Sequence, residues 1–180
     1  MEYISHAECI EIKSSSVSAV IVAEGLRSWQ DNSGSPLISR GPRLFARSEK
    51  LGRLRVVPDR LGMLSGAAET HAVVLAKLCR GEEMEITQRW QLDENDVLTL
   101  ELSFIVPPAW DGMETLGIEL ELPPGEQRFS IDCVPADLQR LVLEDSGVQV
   151  MRLLLNNTPI PAGIHNVKIA FHQFSQSTSK

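Results

Sequence analysis

The chain has 180 residues, of which 43% are hydrophobic and 23% are charged, and its formal net charge at pH 7 is -7. A chain of this length buries about two thirds of the surface of its unfolded form, enough for one hydrophobic core without metals or disulfides. The acidic charge and the scattered Lys and Arg side chains exclude a phosphate-binding face, so we expect no nucleic-acid partner. The apolar stretches are shorter than the roughly 20 residues that span a bilayer, so we expect no membrane partner either.

Short runs of alternating apolar and polar residues, separated by turn residues, recur along the chain. Such runs predict β-strands that are buried on one face. In chain order, the predicted strands are 9–13, 17–22, 26–30, 36–39, 43–47, 54–57, 71–78, 84–92, 97–106, 116–122, 129–134, 148–155 and 166–174. Residues 136–143 fit either a strand or one to two helical turns.

The first clear hairpin surrounds the sequence Asp31-Asn32-Ser33-Gly34. Asp and Asn side chains hydrogen-bond to their own backbone and tolerate left-handed conformations, and glycine adopts a positive φ at little cost. We therefore predict that the strand 26–30 enters a tight turn here and that a short strand leaves it at Pro36.

The middle of the chain contains one interruption and one hairpin. Segment 58–70 begins with a proline and contains Gly62 and Gly66, so we predict a connection without a stable helix. Pro58 has no N–H to donate, which marks a strand end or a sheet edge. The strands 84–92 and 97–106 flank the acidic turn Asp93-Glu94-Asn95-Asp96 and predict a hairpin.

About a dozen short strands without a convincing amphipathic helix predict an all-β fold. The connections are too short for crossover helices, so the strands are expected to pair antiparallel, as in a β-sandwich. We expect one domain over 1–175 and a flexible polar tail over 176–180. The N-terminus carries acidic residues where a secretory signal carries basic ones, so the expected location is the cytoplasm, unless the chain is excised from a longer secreted protein.

The three cysteines, Cys9, Cys79 and Cys133, are widely separated and show no zinc-binding spacing. An odd number does not make a disulfide framework, so we expect reduced, buried thiols. A single bridge from Cys133 to either Cys9 or Cys79 is the alternative in an oxidising compartment.

Three stretches of the chain carry a resemblance to a known family. Residues 25–37 contain a strand, an Asp-x-x-Gly turn and a leucine, and residues 83–124 contain a Trp-bearing strand, an acidic turn and two alternating strands. Together with residues 152–171, which are similar to the family's closing segment, they resemble the galactose-mutarotase-like β-supersandwich family. The family includes aldose epimerases and ancillary domains of glycoside hydrolases and polysaccharide lyases. The resemblance implies a large antiparallel sandwich and a carbohydrate-related function.

The sequence contains no recognisable catalytic motif. Mutarotase-type epimerases use a His acid and a Glu base, but no local pattern here matches theirs, so none of their catalytic residues is assigned to this chain. Gly-x-Ser-x-Gly and catalytic cysteine signatures are absent, and Asp93, Asn95 and Asp96 lack the glycine and distal glutamate of a calcium loop. We therefore predict no catalytic residue, no metal site and no cofactor.

Two tryptophans beside polar residues are the candidates for ligand contact. An indole face stacks on the apolar face of a sugar ring, while neighbouring polar side chains bind the hydroxyl groups. The alternative is that both indoles cover the ends of sheets, and Trp90, on the apolar side of its strand, is predicted to lie in the core. The predicted ligand-binding residues are Trp29, Gln30, Asp31, Asn32, Trp110 and Asp111.

The function predicted from these observations is a carbohydrate-related β-sandwich domain, either glycan-binding without catalysis or ancillary to a glycoside-processing enzyme. A protein-interaction or self-assembly module is the first alternative; it predicts a homo-oligomer and a flat apolar patch. A small epimerase-like enzyme is the second; it predicts His71 or His165 beside a carboxylate in a pocket. Otherwise we expect these two histidines to be structural.

Overall fold

The computed structural model describes residues 1–48, 52–53, 55–65, 70–80, 82–110, 115–125, 127–134, 139–145, 148–154 and 160–174. Sixteen β-strands in these ranges form three antiparallel sheets that pack as a sandwich. The helical structure of the described ranges is one short 3-10 helix, Pro108–Trp110. The predicted all-β antiparallel sandwich is therefore confirmed. The predicted tail 176–180 lies outside the described residues.

The first sheet is a meander in which each strand pairs with the next along the chain. Its strands are β1 (Glu2–Ser5), β2 (Cys9–Lys13), β3 (Val17–Val22), β4 (Gly25–Asp31) and β5 (Pro36–Ile38). β2 and β3 have the predicted bounds. The edge strand β1 was not predicted, because its four residues are too few to establish an alternation and its ends are exposed.

The second sheet has six strands in the order β13-β16-β11-β10-β9-β8. They are β8 (Arg55–Ser65), β9 (Thr70–Arg80), β10 (Glu82–Leu92), β11 (Leu98–Val106), β13 (Phe129–Val134) and β16 (Gly163–Gln173). The predicted hairpin forms the centre of this sheet, with β10 and β11 in register from Ile86↔Phe104 to Leu92↔Leu98. The alternating apolar residues of both strands face the core.

The edge strand β8 corrects the prediction for segment 58–70. β8 runs as far as Ser65 and pairs with β9 up to Ser65↔Thr70, so most of this segment is a strand rather than a connection. The proline is accommodated because β8 lies at the sheet edge and its register shifts between Pro58 and Arg60.

The third sheet has five strands in the order β14-β15-β12-β6-β7. They are β6 (Arg40–Ser48), β7 (Gly52–Arg53), β12 (Thr115–Leu122), β14 (Gln139–Asp145) and β15 (Val148–Leu154). Segment 136–143 was predicted to form either a strand or a short helix. Residues 139–143 belong to strand β14. The Ser39 N–H donates a hydrogen bond to the Glu121 carbonyl at 2.9 Å, which joins the first sheet to the third.

The inner faces of the sheets share one hydrophobic core. At its centre Trp29 of β4 contacts Phe129 of β13 and Phe171 of β16, with ring centroids 5.6 Å and 6.2 Å apart and edge-on geometry. These contacts pack the first sheet against the second. Trp90 is also fully buried, as predicted.

Candidate functional site

Three turns and one strand end meet at one end of the sandwich and line a pocket of about 330 Å³. The β2–β3 and β4–β5 turns come from the first sheet, whereas the β10–β11 turn and the end of β16 come from the second. The pocket is therefore assembled from segments that are distant in the chain. Its described lining residues are Ser16, Asp31, Asn32, Asn95, Asp96, Gln173 and Phe174.

A β-bulge in β4 determines which of its side chains face inward. Val20 pairs with Ser28 and Ile21 pairs with Leu26, so Arg27 is an extra residue without a partner on β3. The bulge lets Leu26 and Trp29 both face the core although they are three residues apart. Asp31, two residues after Trp29, then follows on the same buried side at the end of the strand.

Asp31 organises the β4–β5 turn and is only 4% exposed. Its Oδ1 accepts hydrogen bonds from the backbone N–H groups of Ser33 and Ser35, each at 3.0 Å, and from the Ser33 hydroxyl at 2.5 Å. Gly34 has φ +80° and donates its N–H to the Asp31 carbonyl at 2.9 Å. The predicted turn is thus present, with the side-chain bonding that Asp in such turns provides.

Arg128 joins this turn to the second sheet. Its Nη1 donates to Asp31 Oδ2 at 2.8 Å, and its Nη2 donates to the Pro36 carbonyl at 2.7 Å. Its own carbonyl accepts the N–H of Phe174 at 2.9 Å, just beyond the end of β16. One arginine therefore holds two walls of the pocket together.

These contacts keep Asp31 ionised. The hydrogen bond from the Ser33 hydroxyl contributes most to lowering the pKa of Asp31, and the Ser35 N–H, Arg128 and the Ser33 N–H act in the same direction, while burial opposes them. At neutral pH Asp31 is thus an anion whose oxygens are bound by its own turn and by Arg128. It is a structural part of the pocket wall.

The β10–β11 turn forms the opposite wall through a second aspartate. Asp93 Oδ1 accepts hydrogen bonds from the N–H groups of Asn95 at 2.8 Å and Val97 at 2.9 Å. Asp96 adopts the left-handed conformation with φ 61°, which Asp tolerates better than most residues. The turn is therefore held in one conformation that places Asn95 and Asp96 at the pocket.

The remaining wall comes from the β2–β3 turn and the end of β16. Ser14 Oγ accepts hydrogen bonds from the N–H groups of Ser16 at 3.1 Å and Val17 at 3.2 Å, which fixes the turn that carries Ser16. Gln173 ends β16, and the ring of Phe174 beyond it is 51% exposed. An exposed aromatic ring thus accompanies the polar lining.

The structure brings together two of the polar residues predicted to bind a ligand. Asp31 and Asn32 both line the pocket. Gln30 precedes them but is half-buried, and its Nε2 donates to Ser18 Oγ at 3.2 Å within the first sheet. A role for these residues in ligand binding stays a prediction.

The two candidate tryptophans lie in the core. Trp29 is 0% exposed and Trp110 is 3% exposed, so neither indole presents a face to a ligand in this structure. The stacking geometry expected of them is therefore not present here, because the bulge in β4 turns Trp29 inward and the 3-10 helix ends with Trp110 buried. Asp111 lies outside the described residues.

Several pocket residues were not singled out as ligand contacts from the sequence. The pattern Asp93-Glu94-Asn95-Asp96 indicated a turn but carried no sign of which other turn it faces. Phe174 lies at the end of a predicted strand, and the sequence does not indicate which turns pack beside that end. The pocket residues found only in the structure are Ser16, Asn95, Asp96, Gln173 and Phe174.

The described histidine candidate does not form an acid–base pair. The ring of His165 stacks on Phe104 with centroids 5.4 Å apart, and its Nε2 lies 2.9 Å from the Pro161 carbonyl. Within the described ranges no ion pair joins His165 to a carboxylate. The side chain of His71 lies outside the described part of the structure.

Two of the three thiols are described, and both are half-buried. Cys9 and Cys133 are free. Burial, together with the neighbouring charge of Asp132, raises the pKa of the Cys133 thiol. The side chain of Cys79 is not among those described.

The pocket offers hydrogen-bonding groups rather than a reactive group. Its described lining provides carboxylates, amides, one hydroxyl and one aromatic ring. Among the described residues, no group of three or more His, Cys, Asp or Glu is arranged to hold a metal ion. Nor does any helix there have the length and hydropathy needed to cross a membrane.

Comparison with known proteins gives a likeness to a solved structure. No protein-family model and no curated protein match the chain. Among solved structures it is similar to the crystal structure of a 4-alpha-glucanotransferase from Thermococcus litoralis, with a TM-score of 0.54 and 7% sequence identity. The likeness covers 96% of this chain and 39% of that chain, so the chain spans well under half of the length of that protein. The likeness is one of fold.

Proposed function

We propose that this chain is a carbohydrate-related β-sandwich domain of the galactose-mutarotase-like type. It binds a glycan without catalysing a reaction, either by itself or as the ancillary part of a glycoside-processing enzyme. The observation that carries the proposal is the polar pocket at the end of the sandwich. Its volume of about 330 Å³ is at the lower end of the range for small-ligand sites.

The chemistry of the lining supports a polyhydroxylated ligand. The amides of Asn32, Asn95 and Gln173 each both donate and accept hydrogen bonds, as sugar hydroxyls do. The exposed ring of Phe174 provides the apolar surface on which a pyranose face packs. Phe174 thus takes the role first expected of the buried tryptophans.

The fold likeness supports the same class of ligand. The neighbour is named as a glucanotransferase, and nearly all of this chain matches a part of it. The three stretches that resemble mutarotase-like domains are distributed between residues 25 and 171 and fit the antiparallel sandwich. The proposal of an ancillary domain follows from the share of the neighbour that this chain spans, 39%.

A glycan array followed by calorimetry tests this proposal. We expect the wild-type chain to bind at least one class of neutral glycan. The double variant Asn32→Ala, Asn95→Ala should then bind that glycan about thirtyfold more weakly, because it loses two hydrogen bonds of about 1 kcal/mol each. Asn166→Ala is the matched control, since Asn166 lies on β16 outside the pocket and bonds to Ser103 at 2.8 Å. An array without any hit would overturn the proposed function.

The self-assembly alternative rests on one pair of side chains. Ile105 and Ile164 are 58% and 74% exposed and lie opposite each other on β11 and β16. The same face of the sheet also carries the Lys168–Glu101 ion pair, at 3.2 Å. This face is therefore mixed rather than a broad apolar patch, and the oligomeric state stays a prediction.

A further inference from the structure

The described wall of the pocket carries negative charge and no cationic side chain. Its two ionisable residues are Asp31 and Asp96. Asp31 is neutralised by Arg128 at 2.8 Å, whereas Asp96 forms no ion pair within the described ranges. Asp96 therefore supplies the uncompensated charge of this wall, in a chain whose net charge is already -7.

The position of Asp96 is fixed by its own turn. Its backbone is left-handed, with φ 61°, and its N–H donates to the Asp93 carbonyl at 3.2 Å. The same turn is held from the other side by the bonds of the Asp93 carboxylate to Asn95 and Val97. Because the turn is constrained, the charge of Asp96 has a fixed position in the pocket wall. Discrimination between ligands by charge requires such a fixed position.

We propose that the pocket takes uncharged sugars and amino sugars and rejects uronic acids and sulfated sugars, with Asp96 as the residue that determines this specificity. The inference rests on the proposed glycan-binding function. A carboxylate accepts hydrogen bonds from sugar hydroxyls and, more strongly, from a protonated amine. A carboxylate or sulfate on the ligand would instead face a like charge that no described cation in the wall offsets.

Three methyl glycosides that differ in one substituent test this selectivity. We would titrate methyl glucoside, its 2-amino analogue and methyl glucuronide into the wild-type chain by ligand-observed NMR, and repeat the series with the galactose configuration. At low salt we expect the glucuronide to bind at least about tenfold more weakly than the glucoside, and the amino sugar at least as tightly. Raising the salt concentration from about 0.01 M to about 1 M should bring the affinities for the three glycosides closer together, because the screening length falls from about 30 Å to about 3 Å.

The variant Asp96→Asn isolates the charge. Asn tolerates the left-handed conformation, so the turn is retained. We expect the preference for the glucoside over the glucuronide to fall towards one in this variant. Glu94→Gln is the matched control: it removes one charge from the same turn at an exposed position outside the pocket lining, and it should leave the preference unchanged.

The outcomes separate this inference from the proposed function. Equal binding of glucoside and glucuronide by the wild type would overturn the selectivity while leaving glycan binding intact. An equal effect of the two variants would overturn the role of Asp96. Array hits with no binding of any of the six probes would overturn the pocket as a site for monosaccharides of the glucose and galactose configurations, and with it this selectivity. An array without hits would overturn both proposals.

Discussion

Replacing Trp29 with alanine is expected to lower the free energy of unfolding by about 4 kcal/mol, because large aromatic-to-alanine changes in a core cost about 3–5 kcal/mol. Trp29 is 0% exposed and contacts Phe129 and Phe171 edge-on, so alanine leaves a cavity between the first and second sheets. Domains of this kind have total stabilities of about 5–15 kcal/mol, so the loss is a large fraction. Urea denaturation, with the slope and midpoint fitted separately, measures it.

Two further substitutions in β4 calibrate that result. Trp29→Phe keeps an aromatic ring against the phenylalanines and removes the indole N–H, which has no hydrogen-bond partner in the described structure, so we expect a loss below about 2 kcal/mol. Arg27→Ala, at the exposed bulge, should change stability by less than about 0.5 kcal/mol. If Trp29→Ala kept wild-type stability and instead lost glycan affinity, the indole would have to reach the ligand.

The bulge at Arg27 determines which face of β4 carries Trp29. Strict alternation would place Leu26 and Trp29 on opposite faces of the strand. An extra residue between them restores both to the core side. A bulge depends on the pairing with β3, and a single strand's sequence does not reveal where its partner leaves a residue unpaired.

The strands were predictable where local signals agree with each other. β2, β3 and β13 have the predicted bounds, and the β10–β11 hairpin combines regular alternation with an acidic turn. The prediction was wrong at β8, because the connection predicted from Pro58, Gly62 and Gly66 is largely an edge strand. Local sequence propensity thus predicts most of the strands, whereas β8 forms because an edge position in a sheet tolerates proline.

The site was less predictable than the fold because it is made of contacts between distant segments. Asp31 and Asn32 were identified from their own turn, whose bonding is local. Asn95 and Phe174 join them only because the two sheets end at the same place. The bond from Arg128 to Asp31 spans 97 positions of sequence, and no spacing rule connects them.

Replacing Arg128 with alanine is expected to lower the free energy of unfolding by about 2 kcal/mol, since a hydrogen bond to a charged group contributes about 1.5–3 kcal/mol. The change leaves the Asp31 carboxylate buried with only its turn donors, and it frees the Pro36 carbonyl. Solvent screening keeps the loss moderate, because the Arg128 side chain is 35% exposed. Thermal and urea denaturation of the variant measure it.

Arg128→Lys distinguishes charge from geometry. Lysine keeps the positive charge but lacks the planar fork that reaches both Asp31 and Pro36, so we expect it to recover less than half of the loss. Because the Arg128 side chain holds the β4–β5 turn that carries Asp31 and Asn32, Arg128→Ala should weaken glycan binding as well. Equal stability of the lysine variant and the wild type would show that the fork contributes nothing.

The pH dependence of stability provides a second, independent readout of the same cluster. The pKa of Asp31 is lowered by folding, so the ionised carboxylate stabilises the folded state at neutral pH. This contribution is complete above the unfolded pKa of about 3.9 and is lost as the pH falls through the lower folded value. The stability difference between the wild type and Asp31→Asn should therefore be largest near neutral pH and shrink below about pH 4.

Denaturation of both proteins from neutral to acidic pH tests this dependence. Asp59→Asn is the control, because it removes one negative charge at an exposed position of β8 and should run parallel to the wild type throughout. If the stability difference between the wild type and Asp31→Asn stayed constant down to the lowest pH, the loss would come from altered packing or lost hydrogen bonds. It would not come from the missing charge. The expected convergence would instead assign the stabilisation to the ionised carboxylate, held by the Ser33 hydroxyl and Arg128.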